Sequence, residues 1–182
     1  MPRCKHCKTK FEARFFNQKF CLLNPTCISA STAFAIQTVK NNFERQKRKE
    51  TAVRKEAMMT HSEWLNLFQK VFNTFIRQRD KDNGCISCDK PLSGRKFDAG
   101  HYRSTSSAPH LRFDERNCHG QCVPCNQHQH GNLIEYRKNL VLKFGSDFVD
   151  ELESENGTGK LSIPEIKDKI KEYKQKIKDL KC

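Results

Sequence analysis

The chain of 182 residues carries 34 Lys+Arg against 21 Asp+Glu, a formal charge of +13, with seven His, ten Cys and only 36% hydrophobic residues. So polar a sequence does not support one large apolar core, and its length suits one domain with an appendage or two small domains. No apolar run approaches the roughly 18–20 residues of a membrane span, which excludes a transmembrane protein, and the start MPRCKHCKTK lacks the hydrophobic region of a secretion signal. Cysteines in this number and context suggest bound metal rather than disulfides, and the excess positive charge suggests a polyanion, most simply nucleic acid.

Residues 1–30 read as a small zinc-binding module with a short hairpin, in which Phe11, Phe15, Phe16 and Phe20 supply the apolar contacts. Cys4 and Cys7 form a C-x-x-C knuckle; with Cys21 and Cys27 they make a structural zinc site, although five residues including Pro25 separate the second pair. His6, inside the first knuckle, is expected to face solvent. Residues 31–79 read as a basic helical arm followed by an amphipathic helix. The first 59 residues hold 13 basic and 4 acidic side chains, so most of the net charge lies there. Such a run alone is a solvated linker. Beside a zinc module it is expected to track DNA phosphates as well, through Arg45, Lys47, Arg48, Lys49, Arg54 and Lys55. Ile36, Val39 and Phe43 lie at helical spacing and offer a contact to another helix or a second subunit.

Thr60 and Glu63 form a capping box that opens the clearest amphipathic helix, with Trp64, Leu67, Phe68, Val71, Phe72, Phe75 and Ile76 as its apolar stripe. Asp82-Asn83-Gly84 ends it and a central region, residues 80–145, begins. Cys85 and Cys88, then Cys122 and Cys125, make two C-x-x-C pairs that can offer four thiolates to one structural Zn²⁺. Cys118 and Cys182 have no evident metal partners. Leu133 to Leu142 indicates a further helix, broken at Phe144-Gly145. Residues 146–182 read as C-terminal helices, a short one around Ser146–Leu152 and a lysine-rich one from Pro164 to about Leu180.

Between and after the central cysteine pairs stand KFDAGHYR and RNCHGQCVPCNQHQHGN. A metal-dependent phosphodiesterase needs a base for water, a cation for the developing charge, and something to orient the base. Strand alternation sets Asp98 and His101 on opposite faces, unless a twist or bulge at Ala99-Gly100 brings them together. If a helix starts after the second knuckle, Asn126 and His130 share a face and His128 points elsewhere. Such oxygen and imidazole donors suit Mg²⁺ or Mn²⁺. Arg95, Lys96, Arg103, Arg112 and Arg116 are candidates to receive phosphates, and Tyr102 to pack on a sugar or base or to join the core. His110 and His119 are expected on the surface.

A histidine, a middle Asn and a polar residue just beyond a second C-x-x-C resemble the HNH, or ββα-metal, nuclease motif. By that resemblance His101 is the general base, Asn117 braces its loop, and Asn126 and His130 hold the catalytic cation with Asp98 as a further ligand. This sequence departs from many such enzymes in having Gly100, rather than an acidic residue or histidine, before the base. At a larger scale the opening PRCKHCKTKFEARFFNQKFC, the CISCDKP and DAGHYR blocks, CVPCNQH and the tail resemble the phage lambda NinG (Rap) family over nearly the whole chain. The resemblance implies a recombination endonuclease, phage-encoded and acting in the bacterial cytoplasm, that cuts branched DNA such as Holliday junctions and D-loops. Two coordinated cuts would suit a homodimer, through the helix at 33–59 or the C-terminal helix. The expected fold is therefore α+β, a zinc-stapled HNH core with flanking helices and an N-terminal zinc module. The alternatives are a non-catalytic zinc-containing DNA-binding protein and an adaptor that meets recombination proteins through its basic helices.

Overall fold

A computed structural model describes residues 1–180; Cys182, expected as a spare thiol, lies outside them. The chain divides into two compact units, residues 1–59 and 60–182. The sequence grouped the amphipathic helix with the basic arm, whereas that helix belongs to the second unit.

The first unit begins with a knuckle closed by an antiparallel bridge between Arg3 and Lys10. It leads into α1 (Pro25–Ala57), whose cap is local chemistry: the Asn24 side chain accepts from the Cys27 amide, and Pro25 fills the first turn. This start lies six residues before the Ser31 expected from the sequence. It accounts for the wide Cys21–Cys27 spacing, because Cys27 is presented from a helical turn. Phe11, Phe20, Cys4, Cys21 and Cys27 form a small buried cluster against which Phe34 packs. Phe15 and Phe16, expected in that cluster, are exposed instead.

The second unit opens with α2 (His61–Arg79), entered through the reciprocal Thr60–Glu63 capping box. Five residues of its stripe, Trp64, Phe68, Phe72, Phe75 and Ile76, are buried. After a knuckle closed by a Gly84–Pro91 bridge come β1 (Phe97–His101) and β2 (Cys118–Cys122), an antiparallel pair in unbroken register from Phe97↔Cys122 to His101↔Cys118. Then follow a single π-type turn (Pro124–His128), α3 (Leu133–Phe144), α4 (Ser146–Ser154) and α5 (Ile163–Asp179). The fold is α+β, with its helices built around a two-stranded sheet. Ile166, Ile170 and Tyr173 of α5 are buried, and Tyr173 meets the rings of Phe68, Phe72 and Phe75 on α2. These three residues of α5 are therefore covered within the chain. No helix among the described residues is long and apolar enough to cross a membrane.

Candidate functional site

The cysteines expected to bind metal converge in two groups, Cys4, Cys7, Cys21 and Cys27, and Cys85, Cys88, Cys122 and Cys125, the sulfurs of each lying within 4.8 Å of one another. Four thiolates around Zn²⁺ at about 2.3 Å would define a tetrahedron with edges of about 3.8 Å. The observed Cys4–Cys27, Cys7–Cys21 and Cys88–Cys122 separations are 3.9, 3.8 and 3.7 Å. Both groups thus have the shape of a structural zinc site. The knuckles repeat one geometry: the amides of Cys4 and Cys85 donate to the carbonyls of Thr9 and Lys90, and the residue after each pair, Lys8 or Asp89, has positive φ. Burial pushes the Cys27 and Cys125 thiols up to about 12, and the neighbouring sulfurs push the same way. Burial also acts on Cys4, but backbone hydrogen bonds from Cys21, Cys7 and His6 outweigh it and lower that thiol to about 6. A bound cation would favour the thiolate form of the raised members of each group.

Beside the second cysteine group, His101, Asn126 and His130 line one open hollow of about 600 Å³. His101 comes from the end of β1. Its ring is half-buried, stacks at 30° on Phe72 with centroids 6.4 Å apart, and lies 2.9 Å from the Arg112 carbonyl through Nε2. Burial lowers its pKa below 6.5, with the Arg112 charge adding and the carbonyl contact opposing. The imidazole is accordingly favoured in its neutral form. Asn117 is fully buried. Its Oδ1 accepts from the Arg103 amide at 2.7 Å, and its Nδ2 donates to the Arg103 and Leu111 carbonyls. It thereby ties together both ends of the loop that carries Arg112.

The donors for a cation arrive by a different route from the one expected. No helix runs from Asn126 to His130; the π-type turn ends at His128, and His130 and Asn132 have φ of 49° and 42° with Gly131 at 90° between them. The segment turns instead of winding on, which still brings His130 to the wall of the hollow, whereas His128 is exposed and outside that wall. The regular strand register leaves no bulge at Ala99-Gly100. Asp98 therefore stays on the face opposite His101, where its Oδ2 accepts from Asn126 at 3.0 Å and from Gln127 at 2.8 Å. Asp98 and Asn126 are thus together, and Asn126 and His130 share the hollow with His101. Carboxylate, amide and imidazole donors are a set that fits a hard divalent cation. Glycine at position 100 has a packing reason, since a Cβ there would collide with the buried Gln121 side chain.

Other expectations change. The Arg103 guanidinium donates to the carbonyls of Leu152, Glu153 and Glu155, so it caps the end of α4. Arg116 is bound to Asp114, Glu151 and Glu155, and Arg112 to Gln69. Arg95 and Lys96 are exposed. His119 is buried, with Nδ1 3.0 Å from the Tyr136 hydroxyl, and His110 is half-buried against the Glu155 carbonyl. Glu153 had no signal in the sequence. It lies on α4, some 50 residues from His101, yet it reaches the hollow and bonds the Tyr102 hydroxyl and Arg137.

Over residues 1–182 the chain matches the family described as Bacteriophage Lambda NinG protein. The chain belongs to the NinG family. It is 42% identical to the Protein ninG of Escherichia phage lambda over 197 residues, covering 98% of this chain and 93% of that protein. Against the Protein ninG of Escherichia phage 933W the identity is 40% over 195 residues, with the same coverage. No solved structure matches. In this NinG-family chain both cysteine groups, the paired strands and the His101 hollow fall inside the matched region.

Proposed function

We propose that this NinG-family chain is a structure-specific DNA endonuclease that cuts branched recombination intermediates, Holliday junctions and D-loops, by metal-dependent phosphodiester hydrolysis in an HNH-type site. The observation that carries the catalytic part is the His101 ring, kept neutral by burial, fixed through Nε2, and facing a hollow shared with Asn126 and His130. The branched substrate rests on the likeness to the family. His101 takes a proton from water as the water oxygen attacks phosphorus and the bond to the leaving sugar oxygen breaks. Asn117 holds the loop whose carbonyl orients the ring. Asn126 and His130 would hold Mg²⁺ or Mn²⁺, which supplies positive charge for the leaving oxygen when bound. Asp98, on the other strand face, would orient Asn126 by accepting from its amide, where direct ligation was expected. The cysteine groups take Zn²⁺ as a folding element.

The arm provides affinity. If α1 follows regular helical rotation, Arg45, Arg48, Lys49 and Lys55 share an arc of about 120°, away from Ile36, Val39 and Phe43, whereas Lys47 and Arg54 fall on the same side as those apolar residues. The cations suit a phosphate track. The apolar residues, all exposed, suit a second subunit, giving a homodimer that acts in the bacterial cytoplasm with other recombination proteins. The test is incubation of zinc-loaded protein with four-way, D-loop, flapped and linear DNA, with Mg²⁺, Mn²⁺ or neither. Cleavage that needs the cation and is lost in His101→Ala, with junction binding and zinc content retained, is expected. Normal cutting by His101→Ala would remove it as the base. Absence of cutting on every substrate, with salt-dependent binding intact, would favour the non-catalytic DNA-binding reading.

A further inference from the structure

Two phenylalanines of the first unit stand outside its core: Phe16 is 92% exposed and the adjacent Phe15 59%. The loop that carries them is pinned. The buried Gln18 side chain accepts from the Arg14 amide at 2.8 Å and donates to the Phe20 carbonyl at 2.8 Å, while the Gln18 amide donates to the Phe15 carbonyl. Asn17, with φ of 61°, reverses the chain immediately after Phe16. Between this loop and α1 lies a groove of about 440 Å³ whose walls include Phe15, Phe34, Val39 and Lys19. The ammonium groups of Lys5 and Lys19 stand 4.8 and 5.0 Å from the centre of the Phe34 ring. Residues 1–30 carry six basic side chains and one acidic one.

We propose that the Phe15–Phe16 loop and its groove are a stacking site for unpaired nucleotides of DNA. The inference rests on the DNA-binding part of the function proposed above and needs no catalysis. An exposed phenyl ring offers a base only its π face; it has no donor or acceptor with which to read a groove edge. In a duplex those base faces are already stacked, so the rings match single strands, where aromatic platforms beside a cationic track are the usual means of binding. The surrounding Arg14, Lys19 and Lys5 distinguish this surface from a purely apolar protein-docking patch and suit a phosphate backbone. A D-loop carries a displaced single strand with unpaired bases, so the site would draw the first unit to such a branch.

The test is fluorescence anisotropy with labelled oligo-dT and a labelled linear duplex of equal length, using the full zinc-loaded chain without Mg²⁺ or Mn²⁺. Phe15→Ala/Phe16→Ala is expected to weaken oligo-dT binding at least about fivefold, with duplex affinity and zinc content unchanged. Phe16→Trp is expected to retain binding and to gain tryptophan emission that oligo-dT quenches beyond any change from the buried Trp64. Unchanged oligo-dT affinity in the double variant would overturn the proposal, as would equal losses on single strand and duplex, or loss of self-association without loss of oligo-dT binding. If the wild-type chain binds neither DNA, the DNA reading itself fails; if it binds both and the double variant does too, only the stacking site fails.

Discussion

Nε2 of His101 lies 2.9 Å from the carbonyl oxygen of Arg112, and this contact sets the tautomer of the ring. A carbonyl only accepts, so Nε2 carries the proton and Nδ1 keeps its lone pair. The Cys118 sulfur lies 3.9 Å from Nδ1. Burial holds that thiol well above its ordinary pKa, so it stays protonated and its S–H is a weak, long donor to the Nδ1 lone pair that an attacking water would replace. The proposed base is therefore Nδ1, and the loop between the strands chooses it.

The pH dependence of cleavage follows from the same ring. Burial and the Arg112 charge disfavour imidazolium, the carbonyl contact favours it, and the balance lies below 6.5. The neutral form is the active base, so protonation shuts the reaction off. Single-turnover rates between pH 5 and 8 should show an acid limb with a midpoint below 6.5, at saturating cation and constant zinc occupancy. His101→Ala should lower the rate by about 10²-fold or more. An acid limb centred above 6.5 would assign it to another group.

Asn117 should matter for both stability and rate. Its fully buried amide serves the Arg103 amide and carbonyl and the Leu111 carbonyl. Asn117→Ala leaves those groups without their partner, at a cost of about 1–3 kcal/mol or more. Asn117→Asp keeps an acceptor for the Arg103 amide but cannot, when ionised, donate to the two carbonyls. Both variants should unfold at lower urea, and both should cut more slowly per folded molecule because the Arg112 carbonyl shifts. Wild-type rates in a destabilised but folded Asn117→Ala would leave Asn117 a purely structural residue.

The legible parts of this molecule were those coded locally. The Thr60–Glu63 box, the α2 stripe and the C-x-x-C pairs each depend on residues a few positions apart, so spacing alone revealed them. The start of α1 is also written locally, in Asn24-Pro25, but it lies within the Cys21–Cys27 stretch that reads as part of the zinc module. What spacing missed was tertiary. The turn at His130 depends on backbone reversal that no helical period reports, and Glu153 reaches the hollow from a helix remote in sequence. Arg103 looked like a phosphate ligand until the end of α4 arrived beside it. The core status of Phe15 and Phe16 failed because Gln18, a polar residue, organises the loop from inside.

Zinc content should respond cysteine by cysteine. Each group supplies four sulfurs to a site within one unit, so Cys27→Ser and Cys85→Ser should each release about one of two zinc ions per chain. Cys27→Ser should expose residues 1–59 to proteolysis while the rest of the chain stays protected, and Cys85→Ser should do the reverse. Cys118→Ser should retain both ions, since Cys118 belongs to neither group. Metal analysis with limited proteolysis checks all three; release of both ions by either single substitution would show that the sites are linked.

Acid should destabilise the second unit through His119 as well as through the thiolates. Burial is the main cause that takes its pKa down to about 4, with Arg79 and Lys143 adding and Asp80 opposing. In the unfolded chain the ring binds a proton near pH 6.5. Between those values the unfolded state holds more protons, so the neutral, buried ring stabilises the fold above about pH 6.5, and that stability is lost as pH falls toward 4. Two and a half pKa units correspond to about 3 kcal/mol at the acid limit, and roughly 2 kcal/mol of this is gone by pH 5. His119→Gln removes the titration and retains an N–H that can donate to the Tyr136 hydroxyl oxygen, whose own proton goes to the Gly100 carbonyl. Zinc loss is common to both proteins. Urea unfolding of the zinc-loaded chains at pH 7 and pH 5 should therefore show a fall in wild-type stability larger by about 2 kcal/mol than in His119→Gln; equal falls would mean that the His119 proton is not excluded by folding.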